Sequence, residues 1–481
     1  MIRFSTSVHK ISMFNRTLSA ILVTSALLSQ SVGISPVQAA SAASVASAVT
    51  KPASITVDSQ SVTWEYAPFV EKGTTYAPLR QAAAALGGQV KWNQAKQTVE
   101  IYDHGDTITH RAGTNVIQIN EVRLMLPAPS KNMSGTLMIP LRSLSDAMKA
   151  GLQLTNTSSQ MIITLKSDSS TIMSSESAAI DQYLKEAGYS GIALIASNGD
   201  IQLRKGYGLS DHNSLVRPDQ KSRIASITKG FTAAAIMQQV QQGNISLEDP
   251  VSKYVSGIDR GNEITIHMLL SHTSGLPSNF TRAEGITMED TLAEIRTKKL
   301  MAEPGAEYRY SNNGYILLAA ILERVSGKEY GVYLHEQFFK PIGMKDTGTA
   351  TPSTKTIKGY TDQKGTWAEA SYYVSQSGTG TLYSTVDDLL KWDQALRGNK
   401  VLSEEIQETM YTPYSDRNYG YGWMVSETEE GTVVFHNGSG TGYSTGISRN
   451  LDNGITVILL GNHAGMDMTG MLNHIQEMAL K

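Results

Sequence analysis

The sequence predicts an α+β protein, a small duplicated α+β module followed by a larger domain built on an antiparallel sheet flanked by helices. Two observations carry this. The run Gly73-Thr74-Thr75-Tyr76-Ala77-Pro78-Leu79-Arg80 returns 62 residues later as Gly135-Thr136-Leu137-Met138-Ile139-Pro140-Leu141-Arg142, and the pattern after it returns too. Beyond residue 177, strand-like runs lie at both ends of the chain with helical stretches between them, the order expected of one sheet with a helical insertion. At 481 residues the chain exceeds one typical domain. Polar stretches at 40–53 and 167–177 read as linkers, bounding a module at 54–166 and a domain at 178–481.

The first 39 residues read as a secretory signal. Arg3, Lys10 and Arg16 form a basic n-region, an apolar run follows at 18–28, and Val37 and Ala39 are small residues at −3 and −1 of a cleavage site. The run is short for a spanning helix, which needs about 20 apolar residues. No later segment is long and apolar enough to span, so no integral membrane segment is expected after cleavage. Cysteine is absent, which excludes a disulfide framework and a lipidated cysteine. Export without cysteine resembles secreted proteins of Gram-positive bacteria. The net charge is −3, or −6 without residues 1–39, so nothing marks a nucleic-acid partner.

Each copy of the repeat reads as strand, helix and two strands. Pro78 and Pro140 stand at helix starts. The helices cover 79–86 and 141–150, and Gly87 and Gly151 end them. Strands follow at 89–92 and 98–102, then at 152–155 and 161–165. A duplicated unit of this kind implies that the copies pack on each other. The doubled motif resembles the copper amine oxidase N-terminal-like, or stalk, domain. That resemblance implies an appended, non-catalytic module and leaves a contact with the cell wall open. His104 and His110, beside Asp103 and Asp106, are read as a solvated polar loop and not as copper ligands, because no third histidine is near. Arg80 and Arg142 are read as bracing the fold.

The larger domain opens with a helix near 178–187 and a hairpin, 191–196 and 201–206, turned by Asn198-Gly199-Asp200. It closes with strands at 432–435, 445–449 and 454–460 and an amphipathic helix at 466–480.

Chemistry enters at Ser226-Ile227-Thr228-Lys229. A serine and a lysine three residues apart share one helix face, one turn apart. A partly desolvated lysine has a lowered pKa and can take the seryl proton, giving a nucleophile without a catalytic histidine. Tyr310-Ser311-Asn312 and His436-Asn437-Gly438 follow in order. This order and spacing resemble the serine beta-lactamase and penicillin-binding-protein superfamily, nearest its class C beta-lactamase-like branch. Supporting matches are the runs 245–251, 269–276, 341–344 and 420–423. The resemblance implies a beta-lactamase/transpeptidase-like domain, an antiparallel sheet with flanking helices and a helical subdomain.

The implied roles divide as follows. Ser226 is acylated, and Lys229 and Tyr310 shuttle its proton, with the base between those two left open. Asn312 contacts Lys229 and the substrate amide. The backbone N–H groups of Ser226 and, by resemblance, Ser439 form the oxyanion site. Gly438 lets substrate lie against the strand edge. Where many relatives have lysine, His436 stands. Its partial charge near neutrality predicts weaker, pH-dependent binding of a substrate carboxylate. His272 is read as structural, and Tyr372, Tyr373 and Tyr383 as packing residues. Gly442-Tyr443-Ser444-Thr445-Gly446 matches a nucleophile-elbow pattern with Asp452 and His463 after it, but the chain left is too short for that fold, so Ser444 is read as structural.

The expectation is an exported serine hydrolase that cleaves an amide or ester through a seryl acyl-enzyme. Its expected substrates are D-amino-acid peptides of cell-wall origin, including peptidoglycan fragments. The alternatives are an esterase on D-alanylated polymers or small acyl esters, and a non-enzymatic penicillin- or wall-binding protein. No cofactor or metal is implied.

Overall fold

The computed structural model describes residues 52–363, 366–371 and 377–480. The signal sequence, nearly all of the 40–53 linker, Tyr372 and Tyr373 lie outside them.

The repeat folds about a local two-fold. Strands Thr74–Pro78 and Thr136–Pro140 run antiparallel, pairing Tyr76 with Pro140, Ala77 with Ile139 and Pro78 with Met138. Ala77 and Ile139, equivalent in the two copies, thus face each other. Helices Leu79–Ala85 and Leu141–Ala147 follow, each with its proline as the N-cap residue. Leu79, Ala82, Ala83, Leu141 and Leu144 from both helices fill one shared core. Each copy then adds its strand pair to a separate sheet. The first pair continues through Asp106–Arg111, Val116–Ile119 and Val122–Met125 into five strands. In the second, Ala53–Val57 pairs parallel with Met161–Lys166, so the N-terminal strand closes the later copy.

The structure corrects two readings here. Gly87 leaves the first helix at φ +96°, but in the second copy the left-handed residue is Lys149, at φ +53°, and Gly151 already belongs to the strand Gly151–Asn156. Asp106 and His110 are buried in a strand and not on a solvated loop. His110 spends both ring nitrogens, on Val116 O at 2.8 Å and Ser130 Oγ at 2.7 Å. Arg80 donates to Val90 O at 3.3 Å.

The larger domain holds a seven-stranded antiparallel sheet. Its order is Ile172–Met173, Asp200–Tyr207, Gly191–Ser197, Ile455–Gly461, Tyr443–Asn450, Gly431–Gly440 and Met424–Thr428. One face packs on the terminal helices Ala178–Glu186 and Met468–Ala479 through Ile180, Leu184, Leu472 and Ile475. The other packs on the helical region, whose central helix Thr228–Gln241 is buried along most of its length. Its stretch Phe231, Ala233, Ala234, Ala235, Ile236 and Met237 is buried on every side, as expected of a helix enclosed by others.

The two modules belong to one contact unit, Ala48–Lys481, joined by a buried ionic cluster. Lys205, with no exposed side-chain surface, lies 2.8 Å from Asp106 of the first module and 3.0 Å from Asp181 of the second. Lys149 reaches Asp106 at 3.0 Å and Gly206 O at 3.1 Å. Lys185 reaches Asp181 at 2.6 Å. Burial alone would raise the Asp106 carboxyl, but Lys149 and Lys205 outweigh it and hold it well below the usual carboxylate range. Leu215 of the larger domain packs into the core of the repeat module.

Candidate active site

Ser226 sits in the short 3-10 turn Ala225–Ile227, which leads directly into the helix Thr228–Gln241. Ala225, just before it, is left-handed at φ +45°. Such a conformation costs a non-glycine residue on the order of 1 kcal/mol and is held only by strong surroundings. The strand Gly431–Gly440 supplies them. A Cβ at Gly438 would stand 2.7 Å from Ile224 O, 2.2 Å from Thr445 Oγ1 and 3.0 Å from the Ala225 Cβ. Gly438 is therefore glycine so that the strand can press against the nucleophile turn. This replaces the reading in which it makes room for substrate. The third motif lies within that strand.

Lys229, one helical turn from Ser226, is fully buried. Its Nζ lies 3.1 Å from Ser226 Oγ, 2.9 Å from Asn312 Oδ1 and 3.2 Å from Thr379 O. Burial pushes its pKa well below the ordinary lysine value, and the Arg282 charge adds to that. Tyr310 Oη lies 3.0 Å from Ser226 Oγ on the other side. Burial raises the Tyr310 phenol, only partly offset by its bond to Ser226. The lysine is thus the group driven toward its neutral, proton-accepting form, and the phenol is held protonated.

The loop bearing Tyr310 is fixed from behind. His272, buried and left-handed at φ +60°, accepts the Ser311 N–H at Nδ1, 3.1 Å away. Its ring lies 4.3 Å from that of Tyr310. Ser311 caps the helix Asn312–Ser326 by accepting the Gly314 N–H. Ser278 Oγ accepts from the backbone and the side-chain nitrogens of Asn312, at 3.1 and 3.0 Å, which turns the Asn312 oxygen toward Lys229.

His436 is brought to the site but not as a cation. It is 4% exposed. Its Nδ1 lies 2.7 Å from Asn437 O, so that nitrogen carries the proton, and Nε2 accepts from Tyr419 Oη at 3.0 Å. Burial, reinforced by the nearby Lys229 charge, lowers its pKa to about 3. The expectation of a partly charged carboxylate reader is corrected: this imidazole is neutral at neutral pH. Ser439 follows as an exposed residue opposite Ser444 in the strand pair.

The remaining sequence candidates fall elsewhere. Ser444 is 3% exposed and its hydroxyl accepts the Met466 N–H. Asp452 accepts from Thr432 N. His463 stacks on Trp367. Tyr383 stands in the short strand Leu382–Ser384 with Lys221 Nζ 5.3 Å over its ring. Sequence reasoning missed Tyr419, Ser278 and the Thr379 carbonyl. Tyr419 adjoins the run 420–423 and Ser278 follows 269–276, so proximity to those motifs was the available signal. A backbone carbonyl leaves none.

Comparison with known proteins agrees with this fold. The family described as "Beta-lactamase" matches residues 177–478, and "Copper amine oxidase N-terminal domain" matches residues 56–163. The chain belongs to the beta-lactamase family and carries a copper amine oxidase N-terminal domain ahead of it. It is 34% identical over 255 residues to PbpX of Bacillus subtilis (strain 168), covering 51% of this chain and 65% of that protein. The chain thus spans just under two thirds of that relative. With the D-alanyl-D-alanine-carboxypeptidase/endopeptidase AmpH of Escherichia coli (strain K12) it shares 30% identity, over 55% of this chain and 77% of the relative. The octameric penicillin-binding protein homologue from Pyrococcus abyssi superposes with a TM-score of 0.58 at 29% identity, covering 63% of this chain and 76% of that one.

Proposed function

We propose that the protein is an exported serine hydrolase that cleaves amide or ester bonds through a seryl acyl-enzyme. The observation that carries this is Ser226 Oγ held between Lys229 Nζ at 3.1 Å and Tyr310 Oη at 3.0 Å. Neutral Lys229 takes the hydroxyl proton as Oγ attacks the carbonyl carbon. The oxyanion forms beside the N-terminus of the helix Thr228–Gln241, where free N–H groups favour negative charge. The proton passes from Lys229 to the leaving amine or alkoxide, with Tyr310 in the relay. Water then releases the acyl group and restores Ser226. Asn312 holds the lysine and is available to the substrate amide; Ser439 is offered as the second oxyanion donor.

D-amino-acid peptides of cell-wall origin are the favoured substrates, supported by the family, by the name of the AmpH relative and by the leader-like N-terminus. A second reading, an esterase on D-alanylated polymers or small acyl esters, is favoured by neutral His436, since a neutral imidazole offers no charge to a terminal carboxylate. A purely wall-binding role leaves the Ser226, Lys229 and Tyr310 constellation unexplained. The test is mass spectrometry of the protein after exposure to D-peptides, beta-lactams and activated esters. A single adduct on Ser226 is expected, and an adduct on Ser444, or none, overturns the assignment.

A further inference from the structure

The repeat module holds a cavity of about 400 Å³ where the helix Leu79–Ala85 meets the strand Gln89–Asn93. Three of its lining residues keep groups that the fold does not use: the indole N–H of Trp92 is bonded to Gln94 Oε1 at 2.7 Å, but its ring stays open. Trp92 is 42% exposed on the same strand face as Val90. A large indole left in water loses the burial energy that usually justifies it. Gln81, half-buried, makes no side-chain hydrogen bond with any described residue, and its Oε1 is among the buried atoms without a partner. Buried amides are normally satisfied. Arg80 uses one guanidinium N–H, on Val90 O, and leaves the others open.

The internal duplication provides a control. The residues equivalent to Arg80, Gln81, Val90 and Trp92 in the second copy are Arg142, Ser143, Leu152 and Leu154. The fold of the repeat therefore needs the arginine and an apolar residue in the strand, but neither the glutamine amide nor the indole. These two side chains are present in one copy only, and both line one cavity.

We propose that this cavity binds a saccharide ring of a β-linked glycan, stacked on Trp92, with its hydroxyl or acetamido groups taken by Arg80 and Gln81. A flat apolar platform beside two planar, multiply hydrogen-bonding groups is what a polyhydroxylated ring requires: C–H faces for the indole, and edge groups that both donate and accept. The cavity volume suits one small-molecule subsite. The site shares no residue with the Ser226 constellation and does not depend on its chemistry.

Isothermal titration of the full-length protein with the N-acetylglucosamine tetramer and with cellotetraose tests this. Saturable binding of at least one is expected. Trp92→Ala should weaken it at least about tenfold and Arg80→Gln about threefold or more. Leu154→Ala, the equivalent change in the second copy, should leave it unaltered, as should all three the turnover of a soluble ester. Absence of saturable heat with both sugars overturns the proposal, as does equal affinity in wild type and Trp92→Ala. Co-sedimentation with peptide-stripped wall glycan or with crystalline cellulose then separates the sources. Retention on either, lost in Trp92→Ala, supports the proposal, and retention on neither refutes it.

Discussion

Tyr419 Oη donates to Nε2 of His436 across 3.0 Å, and that bond fixes what the third motif contributes. With Nδ1–H directed at Asn437 O, the ring has one donor and one acceptor and both are used. Protonating Nε2 would set it against the tyrosine hydroxyl proton, inside a buried site and near Lys229. The motif therefore offers shape and hydrogen bonding but no positive charge.

It follows that KM for a peptide ending in a free carboxylate and KM for its amide should run parallel from about pH 5.5 to about 8, on either side of an ordinary histidine pKa of about 6.5. His436→Lys should not improve carboxylate-bearing substrates. It should lower activity, by placing a buried ammonium beside Lys229 where a neutral ring now stands. A divergence of the two KM profiles near pH 6.5 in wild type would restore the charged reading.

The same histidine predicts acid lability. Its folded pKa, about 3, lies below the unfolded value of about 6.5. The unfolded chain thus binds the extra proton between those values. Stability is full above about pH 6.5 and declines as pH falls toward 3, by about 2–3 kcal/mol per such group at about pH 4.5. His436→Asn should flatten this part of the profile in denaturant titrations at several pH values. An unchanged slope would show that other groups carry it.

Lys229 and Tyr310 should separate by leaving group. Lys229→Arg puts a permanently protonated group where a neutral base is needed, so kcat/KM should fall at least about a hundredfold for every substrate. Wild-type activity should rise with pH through the depressed lysine pKa and level off below the ordinary lysine range. Tyr310→Phe removes only the relay, so its loss should be larger for an amide, whose amine must be protonated to leave, than for an activated ester. Equal losses on both would assign Tyr310 to the attack step instead.

Much of this architecture was legible in the sequence, and the limits have physical causes. The strand–helix–strand–strand repeat was readable because Pro78 and Pro140 mark helix starts and the strands alternate. Its second helix end was not, because Lys149 takes a left-handed conformation that sequence assigns to glycine. It is held there by Asp106, Gly206 O and the Arg217 guanidinium, which donates to its carbonyl. Ser226, Lys229 and Tyr310 were findable because their chemistry is local or tied to a motif. The neutrality of His436 was not, since it depends on burial and on Tyr419, 17 residues away in the chain.

The ionic cluster ties the stalk module to the stability of the larger domain. Removing the module would leave Lys205 without Asp106 and uncover Leu215. Asp106→Asn isolates the electrostatic part. It should cost on the order of 3 kcal/mol, because Lys149 and Lys205 stay buried while their shared partner is lost, yet kcat/KM on a soluble ester at moderate temperature should hold. Unchanged thermal unfolding would mean that the lysines neutralise or find water.

Gly438→Ala should affect both stability and chemistry. The added methyl meets backbone, Ile224 O at 2.7 Å, and the Thr445 hydroxyl at 2.2 Å, whose own bond to Ile224 O spans 2.9 Å. Neither can move without shifting the turn that carries Ala225 and Ser226. Overpacking of this kind costs about 1–3 kcal/mol. A displacement of Ser226 relative to Lys229 and Ser439 lowers the acylation rate more than it weakens binding, since attack depends on alignment to within about an ångström. The expected signature is a lower Tm together with slowed labelling by an activated acyl probe at unchanged KM. Loss of Tm with labelling intact would show that the strand yields and the nucleophile turn does not.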